Sequence, residues 1–572
     1  MRLKHFHIQN FRGITELSLD LDKTTVLVGE NNAGKTTVLE ALHACLGRRL
    51  TGRSSPFNEL DFHLDSDGAD PSSAPPITLT LTFEEEAEDE WPVPVVQILD
   101  KAVQILDDDR RRVSLRIITE WDTATRDIKT SWNFLNKDGK ELPGARNPRN
   151  LNDLQLLAPV FYLPALRDAA QSFGARSPFW APFTRSLSID DKVRKEIEEQ
   201  IAEINQSILD SHAPFGEVKD RIERAASLLP LGDAEDLVSI DALPARVLEM
   251  VSKTEVKLAC RTGARLPLSR HGAGTQSVSV LFLFEAFLRS QLAAAYDEQA
   301  EPIVALEEPE AHLHPSAIRA LWSVLEGLTG QSIIATHSGD LLANAPLESL
   351  RRFVREDGVV KVFQVSSGTL SDREAQKVRY HVRLKRGALF FARCWLLVEG
   401  ETDFVMIPEF ARMSGIDFDH EGVVCLEFSQ CGAEPLIKLA NALGIEWHVL
   451  ADGDPAGNGY AKTARKMLNG AAEADRISRL SAKDIEHTCW EGGYEQVYEA
   501  AVTEQRAKSM STKKGDTGYP SEVIDLAQLR PSSKPALAYA VLLEAEKEGS
   551  PGVPTEIKTA IEQAVALARR HV

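Results

Sequence analysis

Near the N-terminus one short segment restricts the possible folds more than any other. Residues 25–28 are an apolar run ending at a glycine, and residues 37–46 carry apolar side chains at helical spacing. Between them, Gly29-Glu30-Asn31-Asn32-Ala33-Gly34-Lys35-Thr36 fits the spacing GxxxxGK[ST]. A strand, a glycine-rich turn and a helix in that order predict a phosphate-binding loop inside an α/β domain. Gly29 and Gly34 let the backbone N–H groups around Asn31 and Asn32 turn inward. The helix start at Thr37 adds a favourable dipole, Lys35 reaches the outer phosphates, and Thr36 supplies a hydroxyl for Mg²⁺.

Companion segments extend this into an ATPase. Residues 303–308 form an apolar strand ending in Glu307 and Glu308: the first acid stands near the metal and the second orients the attacking water. Glu307 occupies a position where such ATPases more often carry Asp. Upstream, residues 268–276 are glycine-rich, and Ser269, Gly272 and Gly274 have the character of a signature loop that meets a neighbour's γ-phosphate. Downstream, residues 333–338 read as a strand ending in a switch histidine, His337. His312 and His314 read as loop residues rather than metal ligands.

A length of 572 residues exceeds one usual core and predicts more than one domain. Residues 1–388 form the ATPase domain, with a polar-helical insert at about 165–260 that is either a dimerisation arm or a packed subdomain. Residues 389–572 form a second domain, with a core at about 392–490 and a helical extension. The net charge of −20 gives no global basic footprint for nucleic acid, so phosphate contacts fall to local basic stretches such as residues 377–386. Residues 508–518 mix Lys with Gly, Ser and Thr and read as a mobile loop, and residues 84–86 read as a solvated acidic turn. Six cysteines without paired spacing, no apolar leader and no 20-residue apolar run predict a cytoplasmic protein without a membrane span.

In the second domain, residues 396–398 are an apolar run delivering Glu399 to a glycine turn. Fifty-three residues on, residues 448–451 deliver Asp452-Gly453-Asp454. In a parallel sheet both strand ends open on one crevice. Two like charges about 4 Å apart cost on the order of 4 kcal/mol at an effective dielectric near 20. Clustered carboxylates therefore call for cations, and oxygen-only ligands suit Mg²⁺ or Mn²⁺.

The segments at 8–13 (Ile-Gln-Asn-Phe-Arg-Gly), 29–36 and 306–315 resemble the SMC/RecF branch of ABC ATPases, which makes Arg12 a candidate nucleotide contact. Glu399-Gly400 followed by Asp452-x-Asp454 resembles the Toprim pattern. The two together resemble the OLD (overcoming lysogenization defect) nucleases, which include the nuclease subunit of Gabija-type phage defence. Residues 162–168, 483–487 and Lys534-Pro535 match further motifs of that family.

The resemblance implies Glu399, Asp452 and Asp454 as core metal ligands, Asp403 and Glu486 as a second metal position, and Lys534 beside the scissile phosphate. Many relatives carry Glu where this chain has Asp403. It further implies ATP with one metal ion, two Mg²⁺ or Mn²⁺ ions at the acidic site, and double-stranded DNA as substrate. A homodimer or higher homo-oligomer and a helicase-type partner follow from the same source. The expected activity is ATP-regulated endonucleolytic cutting or nicking in phage defence or DNA processing. The alternative is an ATP-dependent DNA clamp of the RecF/SMC kind whose Toprim domain is catalytically silent.

Overall fold

Alternation builds the first layer. In β1 (Leu3–Phe11), Phe6 and Ile8 are fully buried while their neighbours reach outward. A tight turn returns the chain as β2 (Ile14–Asp20), and β3 (Thr24–Gly29) then leads through the glycine loop into α1 (Lys35–Leu42). The structure, a computed structural model, describes residues 1–47, 50, 55–66, 68–165, 190–211, 218, 221, 243–244, 256–259, 263, 265–384, 387–529 and 533–571.

The chain continues through β4 (Ile77–Glu84), β5 (Gln104–Ile105), β6 (Arg111–Asp122), β7 (Asp127–Leu135) and β8 (Val160–Leu163). An antiparallel sheet runs β2-β1-β4-β6-β5, with β7 also paired to β6. Its inward residues, Leu79, Leu81, Val113 and Leu115 among them, share one core with Val38 and Leu42 of α1. Expected to be solvated, the turn at 84–86 instead buries Glu85 completely. That carboxylate accepts the backbone N–H groups of Trp91 and Arg111, both at 2.7 Å, and pairs with the Arg111 guanidinium. Three donors repay its desolvation.

Residues 164–302 and 311–314 form a second compact unit. Within it lie α2 (Asp191–Asp210), the short antiparallel pair β9 (Lys257–Ala259) and β10 (Arg265–Pro267), and α3 (Ala273–Ser290). Asp190 caps α2 by accepting the Lys192 N–H. This helix falls within the polar-helical insert expected at about 165–260. Most of the remaining insert, with residues 166–168 of the motif at 162–168, lies outside the described residues.

The first unit resumes with β11 (Ile303–Glu307), β12 (Gln331–Ala335), β13 (Leu350–Glu356) and β14 (Val359–Gln364). Its central sheet has the order β14-β13-β3-β12-β11-β8, all parallel except β14. Nearly unbroken burial of β3, β11 and β12 is what a sheet covered on both faces requires.

A parallel sheet of β15 (Cys394–Val398), β16 (Val423–Glu427), β17 (Glu446–Ala451) and β18 (Ile477–Arg479) follows, in the order β16-β15-β17-β18. Helices α4 (Glu401–Met413), α5 (Pro455–Arg465), α6 (Ile485–Cys489), α7 (Ser533–Ala545) and α8 (Thr555–Ala568) belong to this half, as do the helices Ala433–Ala442, Glu495–Ala501 and Tyr519–Ala527. Met406 and Phe410 of α4, Val541 of α7 and Ile561 of α8 pack with Leu396 and Val398 in one core. The fold is thus mixed α/β among the described residues, with a glycine-loop domain of two sheets followed by a parallel-sheet domain. No helix among the described residues is long and apolar enough to cross a membrane.

Candidate functional site

The phosphate loop takes the backbone shape that its glycines permit. Gly29 has φ 152° and Gly34 φ 99°; a Cβ on Gly29 would lie 2.4 Å from the Phe353 carbonyl oxygen. Lys35 is buried, and its ammonium donates to the carbonyls of Gly29 and Glu30, both at 2.8 Å. Burial pulls its pKa down to about 8 against the opposing pull of Glu308, Glu30 and Glu307.

Thr36 and Glu307, both assigned to the metal, meet: the Thr36 hydroxyl donates to the Glu307 carboxylate. The other Glu307 oxygen accepts the Tyr162 hydroxyl at 2.7 Å. Glu308 follows β11 with a positive φ of 41°, its carboxylate 4.0 Å from His337 Nε2. Burial, with Lys35 nearby, holds the His337 ring below its ordinary pKa, and the ring stacks on Phe391. Asn31, Asn32 and Thr37 lie on the loop and the first turn as expected. The Arg12 guanidinium pairs with Asp61, at 2.8 Å, and with Glu40 of α1, and its charge reaches Tyr162, the partner of Glu307. In the second unit, Ser269 sits in a short turn, Gly272 precedes α3, and Gly274 packs so tightly that a Cβ would lie 2.6 Å from the His312 carbonyl oxygen.

Sequence reasoning gave Tyr162 no role at this site, nor Glu310. Half-buried Glu310 accepts the Thr336 hydroxyl at 2.5 Å and the His337 N–H at 3.2 Å. Burial raises its pKa, and Glu308 adds to the rise. The only signal for either residue was position, one strand or one turn from a recognisable acid.

The acidic site forms where β15 and β17, neighbours in the sheet, end side by side. Glu399 follows β15, and its Oε2 is buried without a hydrogen-bond partner. Burial raises the Glu399 pKa, and Asp454 adds to it. Asp403, buried in the first turn of α4, accepts the Gly400 N–H at 3.0 Å. Desolvation, against that bond, pushes its pKa up to about 7, with Glu486 and Glu399 contributing. Asp452 rises furthest, to about 9, through desolvation and then the charges of Asp403, Glu399, Asp484 and Glu486.

Asp454 caps α5, accepting the Gly457 N–H at 2.7 Å. Glycine is required twice here, since a Cβ on Gly453 would lie 2.1 Å from the Ala482 carbonyl oxygen and one on Gly457 would lie 2.2 Å from that of Asp452.

Glu486 is buried and accepts Thr402 Oγ1 at 3.3 Å and Gln528 Nε2 at 3.0 Å, two partners the sequence did not flag. Desolvation and Asp484 raise its pKa, while the charge of Lys534, an exposed residue at the start of α7, lowers it. Residues 508–518, expected to be mobile, are tied down: Glu522 accepts the backbone N–H groups of Ser511 and Thr512, and Lys514 pairs with Glu499.

The donor set fits a divalent cation in its chemistry. It offers oxygen ligands only, one of them an orphaned buried carboxylate oxygen, and its charges otherwise oppose one another. Among the described residues, however, no three His, Cys, Asp or Glu side chains already converge as a ready-made metal cluster.

Comparison with known proteins adds two family matches and several relatives. The family described as "Protein of unknown function (DUF2813)" matches residues 1–388. The family described as "Overcoming lysogenization defect protein-like, TOPRIM domain" matches residues 390–454. The Escherichia coli (strain K12) protein "Uncharacterized protein YbjD" is 31% identical over 593 residues, covering 100% of this chain and 99% of its own. The "OLD nuclease" of Thermus scotoductus is 24% identical, over 79% of this chain and 82% of its own. "Endonuclease GajA" of Bacillus cereus is 23% identical, over 79% of this chain and 75% of its own.

Proposed function

Because the chain belongs to the DUF2813 family and is an OLD-family ATPase–Toprim protein, we propose that it is a divalent-metal-dependent DNA endonuclease whose cutting is governed by ATP. The observation carrying this reading is the acidic cluster at the paired ends of β15 and β17, with its orphaned Glu399 oxygen and strongly raised Asp452. Without cations such a cluster is a standing cost; with them it is a ligand set.

Glu399, Asp452 and Asp454 would hold one Mg²⁺ or Mn²⁺, and Asp403 with Glu486 a second. Such ions supply a Lewis acid and an acidified water for phosphodiester hydrolysis. The chain's own residues do the rest. Thr402 and Gln528 fix the Glu486 carboxylate, and the Gly400 N–H fixes that of Asp403. Exposed Lys534 supplies positive charge close enough to act on Glu486, where an incoming phosphate would be held and its developing charge offset.

At the other site, Lys35, Thr36 and the glycine loop bind the phosphates of ATP, while Glu307 and Glu308 serve its metal and its attacking water. Ser269, Gly272 and Gly274 would complete that site in a second copy, making the active species a homodimer or larger. Double-stranded DNA is the substrate, and phage defence or DNA processing the setting, with a helicase-type partner.

The test is supercoiled plasmid incubated with Mg²⁺ or Mn²⁺, with and without ATP. Wild type should nick or linearise it. Glu399→Ala should abolish cutting, and Lys534→Ala should lower the rate by roughly 10²-fold, as loss of one charge-stabilising group does, while leaving DNA retention in a gel-shift assay. Cutting by Glu399→Ala at the wild-type rate would remove the site from consideration. A second reading, a DNA clamp with a silent acidic domain, draws on the lack of a ready-made three-ligand cluster among the described residues. It predicts ATP-dependent DNA retention with no strand breakage under any metal.

A further inference from the structure

The two candidate sites are joined by a short, continuous route. Glu30 lies in the phosphate loop, and its backbone carbonyl accepts Lys35 Nζ at 2.8 Å. Its side chain reaches the other domain: Glu30 Oε1 accepts Arg393 Nε at 2.7 Å. Arg393 is the residue immediately before β15. Its backbone is stitched to the strands on both sides, donating to the Gly422 carbonyl at 2.8 Å and accepting the Glu446 N–H at 2.9 Å. From there β15 runs without interruption to Glu399.

A second contact makes the base of that strand rigid. Arg352 lies on β13, opposite Val28 of β3 and one residue before the Gly29 partner Phe353. Its buried guanidinium donates to four carbonyls: Phe390 at 3.3 Å, Ala392 at 2.8 Å, Leu443 at 3.1 Å and Gly444 at 2.9 Å. These belong to the segment entering β15 and the turn entering β17, the two strands that carry the acids. Arg352 therefore holds both strand bases against the strand next to the phosphate loop. The Glu30–Arg393 pair differs in character, with Glu30 half exposed and the pair weak enough to be exchanged. Beside it lies a cavity of about 360 Å³, lined by residues 29–33 together with Arg355, Phe391 and Arg393, which gives the loop room to move.

We infer that Arg393 is a positioning residue that reports nucleotide at the phosphate loop to Glu399, through its ion pair with Glu30 and along β15, with Arg352 as the fixed anchor. When Lys35 leaves the Gly29 and Glu30 carbonyls for a phosphate, the loop shifts, the Glu30–Arg393 pair is altered, and the strand end carrying Glu399 responds. The inference rests on the ATPase and acidic-site assignments above, but its physical content is coupling, which can be read without DNA.

The experiment is amide hydrogen exchange on the full chain with Mg²⁺ throughout, with and without the non-hydrolysable analogue AMP-PNP. Four proteins are compared: wild type, Glu30→Arg, Arg393→Glu and the double charge swap. In wild type, AMP-PNP should change exchange in residues 394–403 by about twofold to fivefold, the range an exposed ion pair can transmit. Arg393→Glu should lose that response while still binding AMP-PNP, Glu30→Arg should lose the response, and the double swap should regain it. A merely structural role would not be rescued by reversing the charges. An unchanged response in Arg393→Glu, or no rescue by the swap, overturns the inference, as does a wild type that does not bind AMP-PNP. Plasmid cutting is scored in parallel. An intact plasmid with responsive exchange would defeat the nuclease reading and leave the coupling standing.

Discussion

Replacing Asp452 by Asn should stabilise the metal-free protein, by an amount that grows with pH. In the folded chain the Asp452 carboxyl is raised from 3.8 to about 9, first by desolvation and then by four neighbouring carboxylates. In the unfolded chain it ionises near the ordinary value. Folding between those two pH values therefore takes up a proton. The folded state is penalised by about 1.4 kcal/mol for each pH unit above 3.8 until the folded pKa is passed. Below the unfolded value there is no penalty; above the folded value it is complete and constant.

At pH 7 the full penalty is about 4 kcal/mol, and solvent reaching the partly exposed group reduces it to roughly 2 kcal/mol. The asparagine side chain keeps the shape and takes up no proton, so Asp452→Asn should melt about 4–8 °C above wild type at pH 7, with the two converging near pH 4. Mn²⁺ should raise the wild-type melting temperature and leave the variant almost unmoved, because ligation relieves in one what substitution has already relieved in the other. Differential scanning calorimetry from pH 5 to 8, with and without Mn²⁺, measures both effects. A pH-independent difference, or a variant less stable than wild type at pH 8, would refute the claim that these carboxylates repel one another.

Gly453→Ala places a Cβ 2.1 Å from a backbone carbonyl and should cost about 1–3 kcal/mol in denaturant unfolding. It should also abolish Mn²⁺ binding by calorimetry, since both flanking aspartates move. Tyr162→Phe removes the hydroxyl that holds one Glu307 oxygen. It should lower ATP hydrolysis by roughly tenfold, the equivalent of one hydrogen bond to a charged group, with little change in nucleotide affinity. An unaltered hydrolysis rate would show that Glu307 needs no such support.

What the sequence revealed and what it concealed divide along a physical line. The phosphate loop, β11 with its two acids, and the acids ending β15 and β17 were legible because each is a local pattern of apolar run, glycine and charge. Glu85 was misread because its environment is made by Arg111 and Trp91, which no local pattern connects to it. Residues 508–518 looked mobile by composition, yet one carboxylate, Glu522, holds their backbone from the following helix. Arg12 has charge partners at Glu40 and Asp61 that only the folded chain brings near. Thr402, Gln528 and Arg352 belong to no motif, and their importance is entirely a matter of what they touch.

The side-by-side placement of β15 and β17 has a bearing on how this chain can change over generations. Adjacent strands lie about 4.8 Å apart, so the gap between Glu399 and Asp452 is set by the pitch of the sheet rather than by the loops between them. The stretch from residue 400 to 445 makes an excursion out through α4 and β16 and back, and can lengthen or shorten at its turns without disturbing that gap. The strands have no such latitude, because one extra residue inside 394–398 would turn Glu399 to the opposite face of the sheet. Single-residue insertions scanned across 394–452 should therefore spare Mn²⁺ binding in the turns at 414–417 and 429–432 and abolish it in the two strands. In that sense the spacing of the two acids is stored in the backbone, and the intervening sequence is left open for lineages to rewrite.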